Sequence, residues 1–492
     1  MDKYVDQFKN IQSNFLSYID ENNNCEENYE NLVSSLENMK IRENKDDLEL
    51  FLKLVIQISN DHYRTPDFFN KICKVLSLFK EEIKHNYTNI EIFSLFKSNK
   101  RLLLFLLEEK LMVIDKEIYN IMLDHKYTNL NYGLYFSPET RPFLMEEVTD
   151  DNYQFDDMQS MHGFLLLMKP LLKESMKKNP KPNIPADFYE KRKIGENEDK
   201  ICELIRKDSL QQFEAYMKKK GIPADYEFEP SIYETNSQLM KGGVTNLIEY
   251  SAFFGSIQIF KYLASKGVEL YPALWNYAVH GNNAKILEFL EEKKLKFHYE
   301  SMFVKNSDYD SCEPESSKET NDSESNEEEE EEEEEEDITE YDSENEGVFR
   351  ASRIFNFDGQ TDSEDEISDF KNSPEKVLKE AIKCHHNELA NYIAKKYLND
   401  AKIEYHNQNR FNKSVNAYAF KFYNFAFIPN EFTQKFIFFY ACQYGYYKIV
   451  AELLDKQKGK LTINVVFLSN FNDVSKLIFF IEFQKKFFIK FQ

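Results

Sequence analysis

The apolar positions between Leu247 and Leu263 fall into two short blocks separated by a turn residue, and the same spacing recurs along the chain. With Ser251 as position zero, Gly255 stands at +4, Ile259 and Phe260 at +8 and +9, and Leu263 at +12. Ala278 starts an equivalent block with Asn282, Ile286, Leu287 and Leu290, Ala381 one with His385, Leu389, Ala390 and Ile393, and Ala441 one with Gly445, Ile449, Val450 and Leu453. Two apolar residues precede each zero at −4 and −3: Leu247 and Ile248, Leu274 and Trp275, Val377 and Leu378, Ile437 and Phe438. A weaker copy starts at Ile205, with Ser209, Phe213 and Met217. The spacing predicts two short helices per block, with the +4 residue in the turn between them, where Gly and Asn adopt left-handed backbone at little cost. The small residue at zero allows close packing on a neighbouring unit, and +8, +9 and +12 form one apolar stripe. Helices this short are marginal alone and bury a continuous core only by stacking.

Composition divides the remainder. Residues 1–135 alternate helical apolar patterns, such as LELFLKLVIQI, with polar turns, and IFSLFKSNKRLLLFLLEEKL fits the same frame with Leu95 at zero, so a repeat near 91–111 is expected. Residues 136–196 hold clustered breakers (SPETRPF, KNPKPNIPADF) and read as a helix-bearing connector. Repeats are expected over 197–300 and 373–460, separated by an acidic, disordered insertion at 301–372, after which Ser373 and Pro374 restart a helix. The Phe-rich segment 461–492 fits no repeat register.

TNLIEYSAFFGSIQIFKYLASKGVEL and FIFFYACQYGYYKIVAELL resemble ankyrin repeats, with their turn glycine and I-V-x-x-L-L second helix. KRKIGENEDKICELIRKDSLQQFEAYM, PSIYETNSQLMKGGVTNLIEYSAFFGSIQIF and ALWNYAVHGNNAKILEFLEE more closely resemble a large family of degenerate ankyrin proteins of unknown function in parasitic protists. The resemblance implies an all-α, ankyrin-like solenoid of stacked helix-turn-helix units that binds other proteins. Glu249 and Asn276 occupy the place of the ankyrin histidine, and the zeros lie 27 residues apart from Ser251 to Ala278 but 60 apart from Ala381 to Ala441, against about 33 for ankyrin.

Charge is concentrated in one place. Residues 308–369 hold 28 acidic and three basic residues, net −25 of the chain's −24, which leaves the rest at +1. With 42% hydrophobic residues, 43 Phe and 30 Tyr, that remainder has ample material for a core. A near-neutral folded part beside a strongly acidic segment argues against nucleic-acid binding. Six widely spaced cysteines without a C-x-x-C pair argue against a zinc framework or disulfides and for a reducing compartment. The N-terminal residues carry no secretory pattern and no membrane-length apolar run occurs, so a cytoplasmic or nuclear location is expected.

No phosphate-cradling glycine loop, metal cluster or nucleophile–base pair is legible, so the chain is read as a non-enzyme without cofactors. Gly242-Gly243 reads as a turn, His385-His386 as a repeat turn and Trp275 as core. The candidate contact residues are the acidic run Glu327, Glu328, Glu329, Glu330, Glu331, Glu332, Glu333, Glu334, Glu335 and Glu336, a solvated loop or a lure for a basic protein. Ser325, Thr339, Ser343, Thr361 and Ser363 have an acidic residue at +3, the pattern acidophilic kinases take. The sequence thus gives a scaffold that binds partners through the concave face and turns of a solenoid. Its alternative is a binder or chaperone of basic proteins acting through the insertion.

Overall fold

The computed structural model describes residues 2–21, 25–65, 67–123, 132–149, 186–228, 231–241, 244–293, 295, 374–398, 414–428 and 440–456. The chain is mostly helical, and the described residues belong to one compact unit drawn from both sides of the segment Tyr299–Ile354. The acidic run, the five candidate phosphorylation sites, Gly242-Gly243 and the segment 461–492 lie outside the described residues.

The second half of the unit is built of helix pairs. Lys200–Arg206 turns into Leu210–Lys220, Leu247–Phe253 into Ile257–Ser265, Leu274–His280 into Ala284–Glu292, and Pro374–Lys383 into Asn387–Tyr397. A helix over 414–421 turns into the 3-10 segment Phe425–Phe427, and one over 440–443 turns into Tyr447–Lys456. Each turn contains one left-handed residue: Asp208, Gly255, Asn282, His385, Tyr423 and Gly445. In five of them the amide one residue further on closes onto the carbonyl five positions back: Ser209 onto Leu204, Ser256 onto Ser251, His386 onto Ala381, Asn424 onto Ala419 and Tyr446 onto Ala441. That 6→1 bond ends the first helix and forces the left-handed step.

These bonds correct the register of the weak copy. Its left-handed residue is Asp208, so its zero is Leu204 and not Ile205. They also explain the 60-residue gap, because a further turn at Tyr423, with Ala419 as its zero, lies inside it. Tyr423 gives no glycine or asparagine signal, and so the sequence frame passes over it. Near Leu95 a helix pair does form, Asn89–Phe96 with Lys100–Glu108, but Asn99 caps the second helix from an extended φ of −133°.

The predicted stripes lie in the core wherever they are described; Ile437, Phe438 and the Leu453 side chain lie outside the described residues. Ile259, Phe260, Leu263, Ile286, Leu287, Leu290, Ala390, Ile393, Ile449 and Val450 are buried, as are Ser251, Ala278, Ala381 and Ala441 at position zero and Leu247, Ile248, Leu274, Trp275, Val377 and Leu378 before it. Leu274–His280 packs on both Leu247–Phe253 and Pro374–Lys383, so the third and fourth pairs are neighbours although the acidic segment separates them in sequence. A two-residue ladder, Glu227–Phe228 against Thr245–Asn246, precedes the second pair. It leads into Asn246, whose side chain accepts the Glu249 amide while Glu249 accepts the Asn246 amide, a capping box.

Residues 2–123 form a helical layer against these pairs. Asp2–Asp20 and Cys25–Asn38 pack together, and Lys45–Asp61 is anchored by Asn44, which accepts the Asp46 and Asp47 amides. Phe8 stacks on Phe425 at 4.6 Å, and Lys448 bonds the buried Asp47.

Candidate functional site

From the second turn on, the +5 residue faces the preceding pair. Ser256 Oγ donates to Ile205 O (2.5 Å), His386 Nδ1 to Val279 O (2.8 Å), Asn424 Nδ2 to Ile382 O (2.7 Å) and Tyr446 OH to Phe420 O (2.9 Å). In the corrected register all four acceptors are the +1 carbonyl of the preceding pair. Asn283 departs from this pattern and reaches three residues further, to the +4 carbonyl, Gly255 O, at 2.7 Å. Four different side chains therefore make the same bond, a second one to a carbonyl near a helix end that accepts the amide of the left-handed residue three positions on in place of the helical amide four positions on. Backbone meets backbone at one of these junctions: a Cβ on Gly281 would lie 2.4 Å from Ala252 O and 2.7 Å from Gly255 N.

The N-terminal layer meets the fourth and fifth turns with polar groups. Gln12 Nε2 lies 2.9 Å from His385 Nδ1 and 2.8 Å from Asn424 Oδ1, and His385 Nε2 lies 2.9 Å from Phe422 O. The amide can only donate and the carbonyl only accept, so the His385 proton is on Nε2. His386 donates from Nδ1 to Val279 O, and its Nε2 faces the Tyr63 amide at 3.4 Å. Both rings are buried and neutral: burial pushes His385 down to about 3 and His386 well below its ordinary value. The expected turn role of His385-His386 is met, with a left-handed backbone at His385. His62 Nδ1 donates to Cys384 O at 2.7 Å, and its Nε2 is 2.8 Å from Asp20 Oδ1.

Beside these rings lies a cluster that sequence reading missed. His280 Nε2 is 2.7 Å from Glu380 Oε1, and Cys384 Sγ is 3.4 Å from His280 Nδ1 and 3.8 Å from its Nε2. Lys383 Nζ lies 2.8 Å from Glu380 Oε1 and 3.3 Å from Asp61 Oδ1. Burial pushes the Glu380 carboxyl up, but Lys383 and His280 outweigh it and hold it well below the usual carboxylate range. Burial pushes the Cys384 thiol well up, so it keeps its proton. Cysteine spacing argues against metal ligation only within one local motif. Here the donors come from two helix pairs, and the one local signal is Glu380 and Cys384 four residues apart at a helix end.

A second cluster surrounds Glu234, a buried carboxylate that accepts the Asn197, Thr235 and Asn236 amides and Asn236 Nδ2. Arg64 Nη1 donates to Gly195 O and Thr235 Oγ1, and Arg101 Nε to Lys193 O. Among the described residues Lys100 Nζ hydrogen-bonds the Ile232 carbonyl alone, at 3.3 Å, over the Tyr135 ring. Burial drives Lys100 from 10.5 down to about 7, against the pull of Glu234. In the unfolded chain it binds its proton up to its ordinary value, so between pH 7 and 10 the unfolded state holds more protons and stability rises with pH. The slope reaches about 1.4 kcal/mol per pH unit. Wild-type protein is expected to gain about 2 kcal/mol between pH 7.5 and 9 from this group. Lys100→Met should lose that gain in urea unfolding, and an identical pH dependence in both proteins would mean that Lys100 is charged when folded.

No protein-family model matches the chain, and neither a curated protein nor a solved structure is similar to it. None of the described helices is long and apolar enough to cross a membrane.

Proposed function

We propose that the chain is a non-enzymatic scaffold, an ankyrin-like solenoid whose stacked helix pairs hold a surface for other proteins. The observation that carries this reading is the recurring bond from the +5 side chain to the preceding +1 carbonyl. It joins the first pair to the second, the third to the fourth, the fourth to the fifth and the fifth to the sixth. A periodic contact of this kind supports a quasi-one-dimensional stack, and such stacks serve as extended binding surfaces. Glu249, at the place of the ankyrin histidine, supports the same reading: it accepts the Asn246 amide and the Tyr271 hydroxyl of the following turn.

The fourth and fifth turns are taken up by Gln12, Asp61 and His62 of the chain's own N-terminal layer. We place the partner surface away from those two turns, on the side of the short ladder, which exposes Tyr226 and Val244. The charge of −25 between the third and fourth pairs favours a second reading, capture of a basic protein by the acidic segment.

Salt separates the two. Full-length protein and a form lacking residues 308–369 are to be compared in pulldowns and in polylysine binding, at low and high ionic strength. The scaffold reading expects partners retained by both forms at high salt. Partners and polylysine lost together with the segment, and lost at high salt, would replace it with the second reading.

A further inference from the structure

We propose that His280, Glu380 and Cys384 form a binding site for a divalent transition ion of the zinc class, placed across the junction of the third and fourth helix pairs. Each residue offers one ligand atom, and the three atoms lie within 4.8 Å of one another. Around a tetrahedral zinc ion with bonds of about 2.0–2.3 Å, ligand atoms stand about 3.3–3.8 Å apart. Cys384 Sγ stands 3.8 Å from the His280 Nε2 that faces Glu380, at the upper end of that spacing, and 3.4 Å from Nδ1, so the thiolate has to swing from the Nδ1 side toward Nε2 for one ion to take all three ligands. His280 Nε2 and Glu380 Oε1, hydrogen-bonded at 2.7 Å, need to part by about half an ångström.

The donors are held by different means. Glu380 and Cys384 are one helical turn apart, with the Cys384 amide bonded to the Glu380 carbonyl. His280 ends the neighbouring helix, and its ring stacks on Phe253 at 5.0 Å, which fixes its plane. His280 and Cys384 are buried, while the Glu380 side chain is 19% exposed and gives a route from solvent. A nitrogen, oxygen and sulfur set selects zinc-like ions over magnesium or calcium, which take oxygen ligands.

The charges balance. A divalent ion is neutralised by the Glu380 carboxylate and the Cys384 thiolate, and Lys383, released from Glu380, keeps Asp61 as its partner at 3.3 Å. His280 carries a proton on the Nε2 that faces the Glu380 carboxylate; as Nε2 takes the ion the neutral imidazole shifts to its Nδ1–H tautomer through exchange with solvent, and the thiol gives its proton to solvent, so binding releases one proton in all. The bound ion would join two helix pairs that the acidic segment separates in sequence, and so tie the stack at its longest interruption.

The test uses chelator-stripped full-length protein titrated with cobalt(II), whose thiolate charge-transfer band reports sulfur ligation, followed by displacement with zinc(II). One equivalent is expected to give the band, and zinc to abolish it. Cys312→Ser and Cys442→Ser should keep the band and Cys384→Ser should lose it, with unchanged far-UV circular dichroism. Absence of the band in wild type, or its persistence in Cys384→Ser, overturns the proposal. Should Cys384→Ser lose helicity, Glu380→Gln, which keeps the side-chain shape, decides instead. At least a ten-fold weaker cobalt affinity is expected, and an unchanged affinity removes the site.

Discussion

Lys383→Met is expected to cost about 3–5 kcal/mol, the penalty for leaving buried charge without its partner. Lys383 is the cation between Glu380 and Asp61, and the Asp61 side chain is only 5% exposed. Burial opposes its charge, but Asp61 and Glu380 more than compensate and hold the ammonium well above its ordinary pKa. A methionine fills the space and supplies no proton donor. The signs follow from which state binds the proton more tightly. A raised lysine pKa gives stability that is present at neutral pH and lost only at strongly alkaline pH, whereas the depressed Glu380 gives stability present above the ordinary carboxylate range and lost in acid. The difference between wild type and variant should therefore be full at pH 7 and shrink toward pH 4, as the variant's Glu380 takes up a proton. Urea unfolding at the two pH values measures it. The triple variant Lys383→Met, Glu380→Gln, Asp61→Asn should recover most of the loss, since no buried charge then remains unpaired. A triple variant as unstable as the single one would show that the loss comes from packing.

Gly281→Ala is expected to destabilise by about 3 kcal/mol, the upper part of the overpacking range. Its backbone is in the ordinary helical region, so the cost is not conformational. The added methyl would meet the Ala252 carbonyl and the Gly255 amide of the preceding turn, and neither can move without opening that turn. Gly221→Ala is the matching control. Gly221 has φ of +66° with nothing within 4 Å of an added Cβ, so it carries only the left-handed penalty of about 1 kcal/mol. Equal losses in thermal unfolding would mean that the second and third turns are not in tight contact.

Much of the helical core was legible because burial repeats with the helical period. Positions −4, −3, 0, +8, +9 and +12 from Ser251 and Ala278 are all buried in the structure. The turn at Tyr423 was not legible, since an aromatic residue in left-handed backbone gives no local signal and is stabilised there by the 6→1 bond from Asn424 to Ala419. The bond to the preceding pair was hidden for a related reason. Serine, histidine, asparagine and tyrosine share no pattern of residue type, but each can donate to a carbonyl of the neighbouring helix pair.

By itself the amino-acid sequence determined the helical period, the blocks that pair, and the confinement of the net charge to one segment, because each of these depends on neighbours within about a dozen positions. Only the tertiary structure decided that the third and fourth pairs pack together, that the chain's own N-terminal helices meet the fourth and fifth turns, and that His280 meets Glu380 and Cys384. Those contacts join residues about a hundred or more positions apart, where spacing along the chain carries no information about distance in space. They are set by which buried polar groups can satisfy one another once the apolar stripes have stacked.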